Sequence, residues 1–348
     1  METLRFAVIG AGNIAKIHVQ ALQQIPSAQV TVVCSRTEAT GRALAHACGA
    51  DWEADYRQAV RRADVDAVTV CTPSATHAAI GIAGAQAGKH LLVEKPIDVT
   101  LPEVDALIEA ANQAGVVLAG VFPLRFMAGV HKAKAAVEQG RLGRLSLADV
   151  FVKWYRPQSY YDNGWRGAWA FDGGGALMNQ AIHNVDLLQW LAGPVTNVIG
   201  RTATLAHTME AEDTVTAALS FANGALGVIQ AATSVWPGDP ARVELRGDKG
   251  TIVLEEGRIV TWKLADAQPG EEEAMLNLEG SGGGSGAGDP MAIGSERHRR
   301  QIVDFIEAVQ HGRAPLVDGV EARKAVEIIC AVYRSAREGR SVTLPFSA

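Results

Sequence analysis

Two short stretches of the 348-residue sequence combine side chains that could move a proton or stabilise a charged oxygen. The first is Glu94-Lys95-Pro96, where the Lys95 ammonium could polarise a carbonyl or stabilise an alkoxide as hydride leaves. In the second, Asn179 and His183 are four residues apart, so on a helix they share a face. A lysine at a strand end is often only solvated, and a lone histidine on a helix is often structural. Both interpretations stay open on these residues alone.

A glycine turn near the N-terminus predicts where a dinucleotide would bind. Residues 6–9 form an apolar run typical of a strand buried in a parallel sheet, and a helical pattern follows the turn. Gly10 lets the chain turn sharply, and Gly12 leaves backbone N–H groups accessible to a pyrophosphate at a helix N-terminus. We therefore expect Gly10, Gly12, Asn13 and Ile14 to contact the cofactor. A purely structural glycine turn is the alternative.

The end of the second predicted strand should select the dinucleotide. An acidic residue there would bind the ribose hydroxyls and repel a 2′-phosphate, but this chain has Ser35-Arg36-Thr37. Arg36 can make a charge-assisted contact to phosphate, and the two hydroxyls can donate hydrogen bonds. The sequence therefore favours NADP(H). NAD(H) is possible if Arg36 stacks on adenine or lies in solvent.

More candidate cofactor contacts follow the third and fourth strands. Thr72-Pro73-Ser74 ends the third strand, and Pro73 removes a backbone donor, so the chain should turn beside the cofactor. His77, near the start of the next helix, is as consistent with a cap or packing residue as with a cofactor contact. Glu94 could offset a lowered pKa of its neighbour Lys95.

These residues must be positioned by two different kinds of fold. Alternating strands and helices in the first third predict an α/β, doubly wound parallel sheet with its ligand at the carboxyl ends of the strands. Long alternating strands after about residue 145, joined by tight turns, predict an α+β domain with a large, mostly antiparallel sheet. We place the dinucleotide-binding domain at residues 1–122 and a substrate-binding and oligomerisation domain at residues 123–348. The helix at about 320–338 could pack back on the first domain.

Two further segments complete the predicted organisation. A helix over residues 176–191 follows three glycines and carries Asn179 and His183. The glycine- and serine-rich tract at 280–288 predicts a mobile surface loop.

Composition limits the partners. A formal net charge of -6 argues against nucleic acid and anionic membrane surfaces. No apolar run reaches the roughly 18 residues that a membrane span needs. The first strand begins almost at the N-terminus, so no signal peptide is expected. The 4 cysteines lack metal-ligand spacing, which predicts free thiols in a reducing cytoplasm and neither disulfides nor a metal site.

Taken together, these motifs resemble the glucose–fructose oxidoreductase/inositol dehydrogenase (Gfo/Idh/MocA) family. The resemblance rests on the glycine turn, Cys71-Thr72-Pro73, Glu94-Lys95-Pro96 and the histidine-bearing helix. It implies a nicotinamide cofactor on an N-terminal Rossmann domain. It also implies a C-terminal domain whose open sheet, with helices on one face, forms the interface of a homodimer or homotetramer.

The resemblance also assigns roles to single residues. Lys95 would touch both the nicotinamide ribose and the substrate, with a cis bond to Pro96. His183 would be the general acid/base on the substrate. Trp165 and Arg166 match positions that lie near the nicotinamide end in some NADP-dependent relatives.

The chain departs from the inositol dehydrogenases at one position. Those enzymes carry an aspartate four residues before the histidine, where this chain has Asn179. Asparagine can bind a sugar hydroxyl but cannot hold a compensating charge, so the inositol substrate does not carry over. Asp186, three residues beyond His183, could orient the imidazole. The expected substrate-binding residues are Lys95, Tyr161, Asn179, Gln180 and His183. The aromatic residues near them suit a sugar ring and equally suit core packing.

The sequence thus predicts an NAD(P)-dependent oxidoreductase acting on a sugar, a sugar derivative or a polyol. Hydride would pass between the nicotinamide C4 and a secondary carbinol carbon, with Lys95 stabilising the oxygen and His183, together with Asn179, exchanging the proton. One alternative is a glycosidase of the same architecture that keeps NAD bound. The other is a non-catalytic nucleotide-binding regulator, which need not keep both Lys95 and His183.

Overall fold

The computed structural model describes residues 3–162, 164–278 and 294–346, and they fall into two compact units. Unit 1 takes its described residues from Met1–Pro123 and Gly294–Arg323, and unit 2 from Leu124–Ile293 and Lys324–Ala348. Residues 294–323, which the sequence analysis placed in the second domain, therefore group with the first. The tract at 280–288, predicted to be a mobile loop, lies outside the described residues.

Unit 1 is built on a six-stranded parallel sheet. Its strands are β1 (Leu4–Ile9), β2 (Ala28–Cys34), β3 (Asp51–Glu53), β4 (Ala67–Val70), β5 (His90–Val93) and β6 (Leu118–Gly120). They pair in the order β3-β2-β1-β4-β5-β6. All four residues of β4 are buried, which explains why three of them are apolar. Because the strand order reverses between β1 and β4, their carboxyl ends open a crevice of the kind that binds ligands in such sheets. The predicted doubly wound sheet is confirmed.

Helices connect these strands. They are α1 (Asn13–Gln23), α2 (Glu38–Cys48), α3 (Tyr56–Ala59), α4 (His77–Gln86) and α5 (Leu101–Ala114). The Thr100 hydroxyl accepts a hydrogen bond from the Glu103 N–H at the start of α5, and Gly115 ends that helix in the left-handed conformation. The sequence analysis missed β3 and α3, which have only 3 and 4 residues.

Unit 2 contains an eight-stranded sheet. Its strands are β7 (Leu145–Lys153), β8 (Val195–Ala203), β9 (Thr214–Phe221), β10 (Leu226–Ala232), β11 (Arg242–Gly247), β12 (Gly250–Glu255), β13 (Arg258–Leu264) and β14 (Val342–Thr343). They pair in the order β13-β12-β11-β7-β10-β9-β8-β14. All neighbours are antiparallel except β7 and β10, so the predicted mostly antiparallel sheet is confirmed.

The remaining helices are α6 (Ala128–Glu138), α7 (Trp169–Asp172), α8 (Ile182–Ala192), α9 (Glu271–Leu276), α10 (Glu296–His311) and α11 (Gly319–Glu338). The helix predicted over 176–191 is not uniform, because Ala176–Ala181 form a π-helix that precedes α8. Such i→i+5 turns are rare and often lie at functional sites. None of the helices among the described residues is long and apolar enough to cross a membrane.

Helix α10 belongs to unit 1 because its apolar face completes the core of that unit. Phe305 is fully buried and its ring lies 6.2 Å from the ring of Phe6 on β1. Ile302 and Ile306 join the same cluster. Burial of each such side chain contributes on the order of 1.5–3 kcal/mol, enough to hold this late segment on the first sheet.

The sheet of unit 2 has one covered and one open face. Along β7, Ala148, Val150 and Val152 are buried, while the alternate residues are exposed or half-buried. Helices α6 and α8 pack against this sheet. On the open face, Leu147, Ile199 and Leu226 are 44%, 46% and 57% exposed. Strands β7, β8 and β10 thus each present an apolar side chain on this face.

Candidate functional site

The glycine turn of unit 1 is fixed by a close backbone approach. Gly10 has φ +117°, and a Cβ at this position would lie 2.3 Å from the carbonyl oxygen of Cys71. The Gly10 N–H donates to the Cys34 carbonyl at 2.8 Å. Only glycine fits, and the ends of β1, β2 and β4 are held together here.

Gly12, in contrast to Gly10, is not closely packed. A Cβ there would meet no atom of the described residues within 4 Å, so none of them demands glycine at this position. Gly12 is the N-cap of α1 and has no side chain that could accept a hydrogen bond from the first turn of that helix. These N–H groups and the helix dipole suit an anionic group. Asn13 and Ile14 lie in the same turn, and Ala15 is buried beneath them. The turn therefore fits the pyrophosphate of a dinucleotide.

The predicted cofactor-selecting residues follow β2. The Ser35 hydroxyl contacts both the N–H and the carbonyl of Thr37, each at 3.2 Å. The Arg36 side chain is exposed. Nearby Glu38 pairs with Arg42 on the surface of α2. The arginine at this strand end is thus accessible to a ligand.

The loop after β4 is tied to the loop after β5 by a buried histidine. One ring nitrogen of His77 lies 2.9 Å from the Thr72 carbonyl oxygen, and the other lies 2.7 Å from the Pro96 carbonyl oxygen. Pro73 precedes a short 3₁₀ turn, Ser74–Thr76, in which Ser74 is buried. The imidazole of His77 therefore holds the two loops in place.

Glu94 is 4% exposed, and both of its oxygens are engaged. Oε2 accepts the backbone N–H of Lys95 at 3.0 Å, and Oε1 lies 2.9 Å from Nε2 of His18. Burial alone would raise the pKa of Glu94, but the hydrogen bond and charge of His18 lower it to about 2. Lys95 is half-buried, and its bond to Pro96 is cis, as the family resemblance implied. The lysine is thus presented beside a buried, ionised carboxylate.

Sequence reasoning assigned no role to His18. The available signal was a polar residue among the apolar positions of α1, where the ring proves to be fully buried. Three side chains, His18, Glu94 and His298, lie close enough to hold a metal ion, with ligand atoms within 4.8 Å of one another. The sequence analysis expected no metal site.

In unit 2, a buried carboxylate shapes the glycine turn before the π-helix. Glu212 accepts hydrogen bonds from the N–H groups of Gly175 and Leu177 at 2.9 and 2.8 Å, and from the Tyr333 hydroxyl at 3.0 Å. A Cβ at Gly175 would lie 1.8 Å from the Glu212 carbonyl oxygen. Burial raises the pKa of Glu212 to about 7, against the effect of these donors.

Asn179 belongs to a polar chain that sequence reasoning did not foresee. Its Nδ2 donates to Oδ1 of Asp172, a carboxylate that is 1% exposed and also accepts the Gly167 N–H at 3.1 Å. The Asn179 Oδ1 accepts from Gln180 at 2.7 Å, and Gln180 in turn accepts from Arg156 at 2.9 Å. A buried carboxylate is therefore hydrogen-bonded directly to the Asn179 amide.

Aromatic residues surround this polar chain. The half-buried Tyr160 accepts a hydrogen bond from Gln180 at 3.0 Å. The Arg166 guanidinium lies over the rings of Tyr160 and Trp165, 4.3 and 4.9 Å from their centroids. Tyr161 is 7% exposed, its hydroxyl lies 2.7 Å from that of Thr233, and burial raises its pKa. Tyr161 is thus packed into the unit, whereas Tyr160 is more accessible.

His183 is half-buried in the first turn of α8. Asp186, considered above as its orienting partner, forms a two-point ion pair with Arg125 at 2.8 and 2.6 Å, and both side chains are fully buried. A buried ion pair therefore ties Asp186 to Arg125.

The predicted residues thus form one group in each unit. In unit 1, the glycine turn, Ser35-Arg36-Thr37, the loop after β4 and Glu94-Lys95 follow the carboxyl ends of parallel strands. In unit 2, Asp172, Asn179 and Gln180 are hydrogen-bonded together, and His183 follows them by one helical turn.

Comparison with known proteins also divides the chain into two domains. The oxidoreductase family with an NAD-binding Rossmann fold matches residues 4–122, and the GFO/IDH/MocA C-terminal domain matches residues 130–253. The chain is 29% identical to a myo-inositol 2-dehydrogenase of Thermotoga maritima over 98% of each protein. It is 30% identical to the uncharacterized oxidoreductase YrbE of Bacillus subtilis over 75% of this chain and 76% of that protein.

Among solved structures, the WlbA dehydrogenase of Bordetella pertussis in complex with NADH and UDP-GlcNAcA is similar over 99% of both chains, with 34% identity and a TM-score of 0.90. The matches cover both the Rossmann domain and the sheet domain. This chain belongs to the Gfo/Idh/MocA family of NAD-binding oxidoreductases.

Proposed function

We propose that the protein transfers a hydride between the nicotinamide C4 and a secondary alcohol or ketone carbon of a sugar, a sugar derivative or a polyol. The observation that carries this proposal is the buried, ionised Glu94 that holds the backbone of Lys95 at the carboxyl edge of the parallel sheet. Relatives that act on inositols, and a similar dehydrogenase that binds UDP-GlcNAcA, support a carbohydrate-like substrate.

The proposed roles follow from the chemistry of alcohol oxidation. A nicotinamide cofactor held at the Gly10–Gly12 turn would supply the hydride acceptor. The Lys95 ammonium stabilises the developing negative charge on the substrate oxygen, and His183 takes the hydroxyl proton. Asn179 orients the substrate hydroxyl, and the buried Asp172 behind it favours the imidazolium that His183 becomes.

The substrate class can be tested by absorbance at the reduced-nicotinamide band. The purified protein is mixed with NAD⁺ or NADP⁺ and a panel of inositols, free sugars, glycosides, uronates and UDP-GlcNAcA. We expect net cofactor reduction with at least one secondary alcohol of the panel. Release of free sugar from a glycoside, with no net cofactor reduction, would instead identify the glycosidase alternative.

Replacement of Lys95 tests the main catalytic role. Lys95→Met should lower kcat about 10²–10⁴-fold, because oxyanion stabilisation of this kind contributes that much, while the cofactor dissociation constant stays within about twofold. Stopped-flow absorbance and fluorescence titration measure the two quantities. Lys132→Met, on the exposed surface of α6, is the matched control. Turnover near the wild-type value in Lys95→Met would refute the role.

For the cofactor, we propose that Arg36 contacts the 2′-phosphate of NADP(H). Its exposed guanidinium at the end of β2, without a carboxylate at the strand tip, supports this preference. NAD(H) is the alternative, and the similar WlbA structure contains NADH.

Arg36→Ala distinguishes these cofactors. A lost charge-assisted phosphate contact should reduce kcat/KM for NADP⁺ about 10–100-fold and leave that for NAD⁺ within about twofold. Steady-state rates with both cofactors provide the measurement. A wild-type preference for NAD⁺, or equal losses with both cofactors, would contradict the NADP(H) proposal.

We also propose that the open face of the unit 2 sheet joins two copies of the chain in a homodimer or homotetramer. Leu147 and Leu226 are cross-strand partners, and Ile199 also lies on this face. An open sheet with exposed apolar side chains on neighbouring strands suits a second, identical sheet.

The cytoplasmic location stays a prediction from the cysteine pattern.

Leu226→Asp should convert the oligomer to monomer, because a carboxylate would be buried without a partner in the interface. Analytical ultracentrifugation measures the change. Leu205→Asp is the control, since Leu205 is 72% exposed and lies in a loop. A monomeric wild-type protein, or an unchanged oligomer in Leu226→Asp, would refute the interface.

A further inference from the structure

A buried histidine that none of the roles above uses lies behind the lysine of unit 1. His18 projects from α1, and its ring has no exposed surface. Its Nδ1 lies 2.8 Å from the Thr69 hydroxyl on β4, and its Nε2 lies 2.9 Å from Oε1 of Glu94. The imidazole is therefore held at both nitrogens by two different elements of the sheet edge.

Glu94 carries this constraint to its neighbour. One carboxylate oxygen binds His18 and the other accepts the N–H of Lys95, so the carboxylate cannot rotate without losing a buried hydrogen bond. The backbone that presents the lysine is thus oriented, through one side chain, by a histidine 77 positions earlier in the chain.

The charged groups around His18 and Glu94 influence which of the buried side chains are ionised. The groups that face it are Cys71, Lys95, His298 and, beyond His298, Arg297. Burial alone would lower the pKa of His18, but its contacts with Cys71 and Glu94 raise it to about 10. His298 lies 4.0 Å from the same Glu94 oxygen, yet burial and the charge of His18 lower its pKa to about 4. These opposite directions favour His18 over His298 as the protonated partner of Glu94.

We propose that His18 is a positioning residue for Lys95. As an imidazolium it neutralises the Glu94 carboxylate, which fixes both the backbone and the electrostatic environment of the lysine. Without that cation, His298 and Lys95 remain beside the buried carboxylate to neutralise it, and the Lys95 ammonium would be drawn toward Glu94 and away from a substrate oxygen. The inference rests on the proposed function of Lys95.

A metal ion is the competing interpretation of the same three side chains. The 2.9 Å separation of His18 Nε2 and Glu94 Oε1 is that of a direct hydrogen bond, and the Thr69 hydroxyl occupies the other ring nitrogen. A proton shared within an ion pair accounts for this geometry without a metal.

The charge of His18 can be measured without a substrate. In the ¹⁵N-histidine-labelled protein with bound cofactor, both ring nitrogens of His18, assigned through His18→Gln, should stay protonated up to about pH 8. A neutral His18 at pH 7, or a full equivalent of zinc in the purified protein, would overturn the proposal. This result does not depend on the activity of Lys95, so it separates a failure here from a failure of the proposed function.

The effect on Lys95 is measured by ¹³C NMR of the reductively ¹³C-methylated protein, with Lys95→Met for assignment. In His18→Gln the pKa of Lys95 should rise by about one unit, because the glutamine amide can still donate to Glu94 but carries no charge. His298→Gln, which alters the neutral neighbour of the same oxygen, should leave it unchanged. Equal effects of the two variants, or none in His18→Gln, would contradict the proposal.

Substitutions of Thr69 test the geometry with little risk to folding. Thr69→Val has nearly the same shape and removes the hydrogen bond to Nδ1, whereas Thr69→Ser keeps the hydroxyl. Turnover of whichever substrate the absorbance panel identifies should fall several-fold in Thr69→Val, with KM nearly constant, and recover in Thr69→Ser. Equal turnover in the two variants would show that the histidine needs no such anchor.

Discussion

The functional edge of unit 1 depends on the burial of a single carboxylate. Glu94 directly follows β5. One of its carboxylate oxygens contacts the ring of His18 on α1, and the other accepts a hydrogen bond from the Lys95 backbone N–H. A buried ion of this kind is tolerated only when both of its oxygens are satisfied, and loss of one partner costs about 3–5 kcal/mol. The glycine turn, the helix behind it and the lysine-bearing loop are therefore constrained together.

Unit 2 uses the same physical device for a different segment. Glu212 accepts two backbone N–H groups at the start of the π-helix, and Asp172 binds the amide of Asn179. In both units, buried carboxylates thus set the path of the backbone from which a candidate acid, base or cation projects. This arrangement orients the functional side chains through rigid elements, which is what a reaction that moves both a hydride and a proton requires.

Much of the fold could be predicted because its signals are local. Gly10 and Gly12, the buried run of β4 and the tight turns of the second sheet each report backbone geometry over a few residues. The π-helix could not be foreseen, because an apolar periodicity does not distinguish an i→i+4 from an i→i+5 turn at its start. The roles of His18 and Asp172 also escaped prediction. Each depends on a partner brought close by the fold, 76 positions away for Glu94 and 7 for Asn179.

The central proposal is that Lys95 and His183 act in the same chemical step. A double-mutant cycle tests it most directly, with kcat/KM measured for the wild type, Lys95→Met, His183→Gln and the double variant. If both groups act in the same step, the double variant should be little worse than the more damaged single variant, since residues acting as a unit are strongly non-additive. Losses that multiply would show that the two residues act independently and would contradict this account.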